Sequence, residues 1–191
     1  MTTAILESKD FNRLIAATKD FIAPFSSKPK SLYHRYIKLD VDADKKVITA
    51  AGVNGYALSV ERAPLTFSNE SFSVYILPLP RFPIHTLTTI DLTGKDAIIR
   101  NDGKIYGFEQ PEYKEPFINY EQFFKRLPYT VRIGFDPKLL TAALKAEEVS
   151  TGRERESIIE LSGPVSPCFI RSKDDKSLRM VLPVRIKEAA E

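Results

Sequence analysis

The 191-residue chain contains one cysteine, Cys168, two histidines, His34 and His85, and no tryptophan. A single thiol excludes an intramolecular disulfide and fits a reducing, intracellular setting. Two histidines far apart in sequence, with no cysteine beside either, exclude a zinc site, which needs about four ligands at recognisable spacings. They read instead as surface or partly buried side chains. No apolar run approaches the length of a membrane span. The first ten residues, Met1 to Asp10, turn acidic before the core of a signal peptide could form. The expected location is therefore the cytoplasm. Charge of one sign is lacking too, since 28 Lys and Arg against 25 Asp and Glu leave +3. Such a balance permits contact with a polyanion but is milder than a strongly cationic nucleic-acid binder carries.

Catalytic signatures are equally sparse. There is no nucleophile elbow, phosphate-binding loop or dinucleotide fingerprint, and Gly103-Lys-Ile-Tyr-Gly107 reads as a hairpin turn. The acidic pairs Glu147-Glu148 and Asp174-Asp175 fall in expected loops or at helix ends, where two carboxylates do not converge across a cleft as acid–base chemistry requires. The residues point to no enzyme, no metal and no cofactor.

What the chain does have is pattern. Its 43% hydrophobic content can build a core without disulfides or metal. Phe11, Leu14, Ile15, Thr18, Phe21 and Ile22 recur at spacings of three and four, which predicts a helix over 8–22 with Ser8 as N-cap and Pro24 as stop. A short strand precedes it over 3–7. Ile37, Leu39 and Val41 alternate with Lys38, Asp40 and Asp42 as in a half-buried strand. Strands over 47–51 and 56–62 follow, joined at the hairpin signal Asn54-Gly55.

The order strand, helix, three strands then repeats. A strand over 72–77 leads to an expected short helix over 80–87, opened by Pro80. Strands over 89–92, 97–100 and 105–108 follow, with turns at Gly94-Lys95 and Asp102-Gly103. A segment over 110–128, rich in Pro, Glu and aromatics, reads as a linker. The third pass has a strand at 131–135, then Asp136-Pro137 opening a helix whose stripe is Leu139, Leu140, Ala143 and Leu144. Strands over 157–161, 166–171 and 178–186 complete it. The fold class is α+β, built of about three β-α-β-β-β units.

Basic residues give a softer signal. Lys28, Lys30, His34, Arg35 and Lys38 form a run without acids. Arg13 and Lys19 lie off the stripe of the first helix, as Lys138 and Lys145 do on the last. Such cations either neutralise phosphates, without sequence specificity, or form the solvated faces of amphipathic helices.

Several segments resemble one family. Val47-Ile-Thr-Ala-Ala-Gly-Val-Asn-Gly-Tyr-Ala-Leu-Ser-Val60 is similar to a strand–turn–strand in the middle domain of bacterial DNA polymerase III beta subunits, the sliding clamps. Phe11-Asn-Arg-Leu-Ile-Ala-Ala-Thr18 resembles the helix that opens that domain. Tyr120-Glu-Gln-Phe-Phe-Lys-Arg-Leu-Pro128 is similar to the segment linking the middle and last domains. Gly163-Pro-Val-Ser-Pro-Cys-Phe-Ile170 and Met180-Val-Leu-Pro-Val-Arg-Ile186 resemble the closing strands. The resemblance implies a DNA-clamp-like fold of one and a half clamp domains. Residues 1–128 would form a complete domain of two halves, and 129–191 the C-terminal half of the last domain. Because Met1 directly precedes the first expected strand, a short gene product is expected.

The function so implied is a processivity factor that encircles or contacts duplex DNA and docks polymerase and repair peptides. Arg13, Lys19, Lys138 and Lys145 would face the DNA. The implied peptide pocket comprises Val53, Gly55, Tyr56, Ala57 and Leu58 from the hairpin, Pro128 from the linker, and Val165, Pro167, Leu182, Pro183, Val184 and Arg185 from the C-terminal strands. Tyr56-Ala57 stands where the family carries His-Arg, and Leu182 and Val184 replace methionines, whose loss narrows the range of partners. The alternative is a degenerate clamp relative that binds peptides without encircling DNA. Three half-domain units leave one unpaired. The third unit therefore either pairs with its counterpart in another chain, giving at least a homodimer, or packs back on the first two.

Overall fold

Alternating apolar residues and a three-four helical stripe organise the N-terminal part of the chain. A computed structural model describes residues 1–24, 31–55, 57–112, 117–124, 133–151, 157–172 and 178–184. The chain divides into two compact units, 1–122 and 123–191. Among the sequence features named above, Lys28, Lys30, Tyr56, Pro128, Val131, Arg132, Asp174, Asp175 and Arg185 lie outside the described residues.

The first unit opens with strand β1 (Thr2–Glu7) and helix α1 (Ser8–Thr18). A 3-10 turn, Lys19–Phe21, continues the helix rather than the α-helix reaching residue 22. Strands β2 (Ile37–Asp42), β3 (Val47–Val53) and β4 (Leu58–Pro64) follow, then a short β5 (Phe67–Ser68). The second half supplies β6 (Phe72–Ile76), β7 (Leu87–Thr93), β8 (Asp96–Asn101) and β9 (Lys104–Glu109).

The two halves exchange their leading strands. β1 leaves the first half to pair with β7, with Ala4 opposite Ile90, and β6 leaves the second to pair with β2, with Val74 opposite Leu39. One sheet thus runs β5-β1-β7-β8-β9 and the other β4-β3-β2-β6. Between them lies one core, in which Leu6, Phe11, Leu14, Ile37, Leu39, Ile48, Ile76, Ile90 and Ile99 are fully buried. The β2 alternation places Ile37, Leu39 and Val41 inward, as their period of two requires.

Ser8 is not the N-cap. Glu7 takes that position without a side-chain cap bond, and Ser8 is the first, buried residue of the helix. Its amide donates to the Thr86 carbonyl at 3.0 Å, and its hydroxyl is hydrogen-bonded to those of Thr86 and Thr88. The hydroxyl that a free helix would spend on its own amides is spent on a neighbouring strand.

The expected helix over 80–87 is absent. Residues 77–86 form a non-helical strap from β6 to β7, ending in a turn over 84–86. The sequence Leu77-Pro-Leu-Pro-Arg-Phe-Pro83 explains why. Leu77, Leu79 and Phe82 each precede a proline, and the proline ring pushes the residue before it out of the α region. The strap is held instead by Phe82, buried and stacked on Phe11 with centroids 5.4 Å apart. The Asn12 amide completes the clasp, donating to the Phe82 carbonyl and accepting from the Phe82 amide, both at 2.8 Å.

The second unit contains helix α2 (Pro137–Thr151) and strands β10 (Ser157–Leu161), β11 (Cys168–Ser172) and β12 (Leu178–Val181), in the order β10-β11-β12. Asp136 caps α2, its carboxylate accepting from the amides of Lys138 at 2.8 Å and Leu139 at 3.3 Å. Leu140, Ala143 and Phe135 pack on buried Cys168, Ile170 and Val181. The other two residues of the expected stripe, Leu139 and Leu144, are exposed. Of the expected leading strand, a single bridge from Gly134 to Val184 is described. Glu147-Glu148 lies within α2 rather than in a loop.

Candidate nucleic-acid interface and peptide-docking residues

The stripe that buries one side of α1 leaves Lys9, Asn12, Arg13 and Ala16 on the other, at spacings of three and four. Lys19 continues this face into the 3-10 turn. Together with Leu79 and Arg81 of the strap they line an open cleft of about 440 Å³ whose floor includes Ile15. Among the described residues no carboxylate lines it. Lys9 is paired with Glu7 at 2.6 Å, and that hydrogen bond and charge raise the ammonium pKa. Arg13 is engaged with Glu61, reaches Asp10 at 3.4 Å and donates to the Arg62 carbonyl at 2.9 Å. Of the two cations the sequence singled out on this helix, Arg13 is therefore partly neutralised and Lys19 has no ion pair among the described residues. Lys138 and Lys145 are exposed on α2, two turns apart and so on one face.

The acid-free run around residue 34 is not a phosphate surface where it is described. His34 is buried with its ring edge-on to Tyr33 at 4.7 Å. Lys38 is paired with Asp40 at 2.8 Å and lies over the Phe117 ring at 5.4 Å. Asp40 also accepts from the hydroxyls of Ser73 and Tyr120. His85 is exposed.

The docking residues fall into two sets, one in each unit. In the first, Val53 is buried and stands opposite Leu58 across the β3–β4 ladder. Asn54 closes the turn, its side chain accepting from the Ala57 amide at 2.9 Å. Gly55 has φ of 92°, a left-handed conformation that favours glycine. A Cβ there would also stand 3.3 Å from the His34 ring. In the second unit, Cys168 pairs with Val181, so Pro167 and Leu182 flank the same end of the β11–β12 ladder. Val165, Leu182 and Val184 are 87%, 59% and 48% exposed, an apolar group that the local fold leaves uncovered. Pro183 is partly buried.

Burial raises the Cys168 thiol pKa, which keeps it protonated and weakly nucleophilic. Among the described residues no group of three or more His, Cys, Asp and Glu could hold a metal ion. No helix among them is long and apolar enough to cross a membrane.

Arg81 and Lys9 are site residues that the periodicity does not single out. Lys9 could have been found from its i, i+4 relation to Arg13. Arg81 is hidden because the proline spacing of the strap reads as a helix start.

This arrangement, in which two half-units exchange their leading strands and a third half-unit follows, is the fold of bacterial sliding clamps. The chain superposes on a DNA polymerase III beta chain from Streptococcus pneumoniae with a TM-score of 0.72 and 16% identity, over 97% of this chain and 50% of that one. It matches a DNA polymerase sliding clamp from Bacillus subtilis with 0.73 and 13%, over 95% and 49%. A DNA polymerase III subunit beta from Pseudomonas aeruginosa gives 0.64 and 14%, over 97% and 67%. The chain thus spans from about half to two thirds of the length of these structures. No protein-family model matches the sequence, and no curated protein matches it significantly.

Proposed function

We propose that this chain is a non-catalytic, clamp-type scaffold that contacts duplex DNA without sequence preference and docks short peptides of polymerases or repair proteins. The observation that carries this reading is the clamp fold, matched over nearly the whole chain. Arg13, Lys19, Lys138 and Lys145 are the proposed DNA-facing residues. Loose phosphate contacts of this kind add salt-dependent affinity and let a protein slide. Val165, Leu182 and Val184, with Pro167 and Pro183, are proposed to take aliphatic or aromatic anchors of a peptide, since exposed apolar side chains suit such recognition. Val53, Gly55, Ala57 and Leu58 are assigned to docking on the family resemblance, as are Tyr56, Pro128 and Arg185. Residues 1–128 would act as a full clamp domain and 129–191 as a half domain, with self-association through the latter.

A second reading is favoured by two observations. Arg13 is engaged by Glu61 and Asp10, and the second half of the first unit has a strap in place of a helix. Both reduce the cationic helical surface that a DNA ring would use. On that reading the chain binds clamp-type peptides without encircling DNA.

Retention on a nicked circular plasmid, compared with the same plasmid linearised, separates the two. A topological clamp is expected to stay on the circle and run off the linear form. Equal loss from both, with binding to a clamp-type peptide intact, would leave only the peptide-docking reading. Loss from both without peptide binding would overturn both readings.

A further inference from the structure

The strap gives α1 an unforeseen neighbour, and with it a cation. Arg81 lies in the strap between Pro80 and Phe82, and it is exposed where Phe82 is buried. Phe82 is the inward residue, stacked on Phe11 and clasped through its backbone by Asn12. Arg81 is exposed, and it lines the cleft opposite α1 with Lys19.

Four basic side chains line this cleft, but they are not equivalent. Glu7 holds Lys9, and Glu61 with Asp10 holds Arg13. Lys19 and Arg81 have no ion pair among the described residues, and no carboxylate lines the cleft to meet them. Asp20, next to Lys19 in the chain, does not line it. Small Ala16 leaves the space between helix and strap open, and Leu79 and Ile15 give it an apolar floor. The backbone of Arg81 is fixed by the buried residue beside it, so less freedom is lost when its guanidinium engages a ligand. A guanidinium and an ammonium on opposite walls suit the oxygens of one phosphate group.

We propose that Lys19 and Arg81 form a seat for a backbone phosphate of duplex DNA, the strap supplying from a non-helical segment a cation that a second helix would otherwise present. This rests on the DNA-contact reading above and adds to it a residue outside the helices.

The test is binding of the full chain to a short labelled duplex, by fluorescence anisotropy across a salt series, with two unrelated duplex sequences. Removing one phosphate-neutralising side chain is expected to reduce the slope of log affinity against log salt by about 0.9. Arg81→Ala and Lys19→Ala should each do so, equally for both duplexes, and the double variant should lose about twice as much. Arg81→Lys should restore most of the slope. Lys104→Ala, at an exposed position of β9, should leave it unchanged. Because Arg81 is exposed, its variants should melt at the wild-type temperature, so lost binding is not lost folding. A wild-type slope in Arg81→Ala, beside a reduced slope in Lys19→Ala, would overturn the seat and leave the DNA-contact reading standing. Absence of salt-dependent binding by the wild-type chain would overturn both.

Discussion

Tyr120 fastens the segment after β9 to the sheet beneath it. Its hydroxyl donates to Asp40, which also receives Ser73 and Lys38. Burial first, and then the bond and charge of Asp40, push the phenol pKa well above its ordinary value. Tyr75 is pushed up to about 12, mainly by burial. A pKa raised in the folded state contributes stability that is full below the unfolded value, 10.0, and is lost as pH rises through the folded one. Unfolding in urea should therefore show stability falling as pH rises above 10. Tyr120→Phe should cost about 1.5–3 kcal/mol at neutral pH, by removing a hydrogen bond to a charged group, and should flatten that alkaline decline. An unchanged decline in the variant would show that Tyr120 does not contribute to it. The residue scale also shows what a sequence conceals. Asp136 caps α2 because Pro137 sets the following turn locally. Ser8, an equally good local candidate, is claimed by Thr86 and Thr88 from nearly 80 residues away in the chain.

Among the elements, α1 and the strap form one working piece. The α1 stripe was legible because a helix that buries one face on a core writes its burial at three-four spacing, and Phe11, Leu14, Ile15 and Thr18 are all buried. The alternation of β2 and the Asn54-Gly55 hairpin were legible for comparable local reasons. The strap was not, because proline at a helix start and proline after an extended residue look alike until the three Xaa-Pro steps are counted together. The docking residues were reached through the family resemblance, since periodicity alone reads them as strand and turn positions. With no helix to bury, the strap depends on Phe82 and on the two Asn12 bonds. Asn12→Ala should destabilise the first unit by about 1–3 kcal/mol, the sum of two modest hydrogen bonds. It should also speed hydrogen exchange at the Phe82 amide well ahead of that at β7. Protection at Phe82 equal to wild type would show that the Phe11 stack suffices.

For the whole molecule, the first unit supplies the rule that the second leaves incomplete. There, the strand that follows α1 and the strand that follows the strap each have neighbours on both sides. β2 lies between β3 and β6, and β7 between β8 and β1. Among the described residues their counterpart β10 is at the sheet edge, with Ile158, Ile159 and Leu161 exposed. Unpaired, apolar edges invite pairing with another chain. Sedimentation across a concentration series should show mass rising from monomer towards a discrete oligomer. Ile159→Lys, which places a charge on that edge, should hold the chain at monomer mass without changing the melting of the first unit. A monomer at every concentration would refute self-association.

The exchange of leading strands also sets a schedule for synthesis. β1 emerges from the ribosome well before its partner β7, which ends at Thr93. At about 5–20 residues per second, β1 waits roughly 4–17 s for that partner. Through this interval the newborn strand has only the two-residue β5 of its own sheet to join. The first unit is committed to folding as a whole after both halves have been made, and its most exposed moment is the one that a holding chaperone would be best placed to cover.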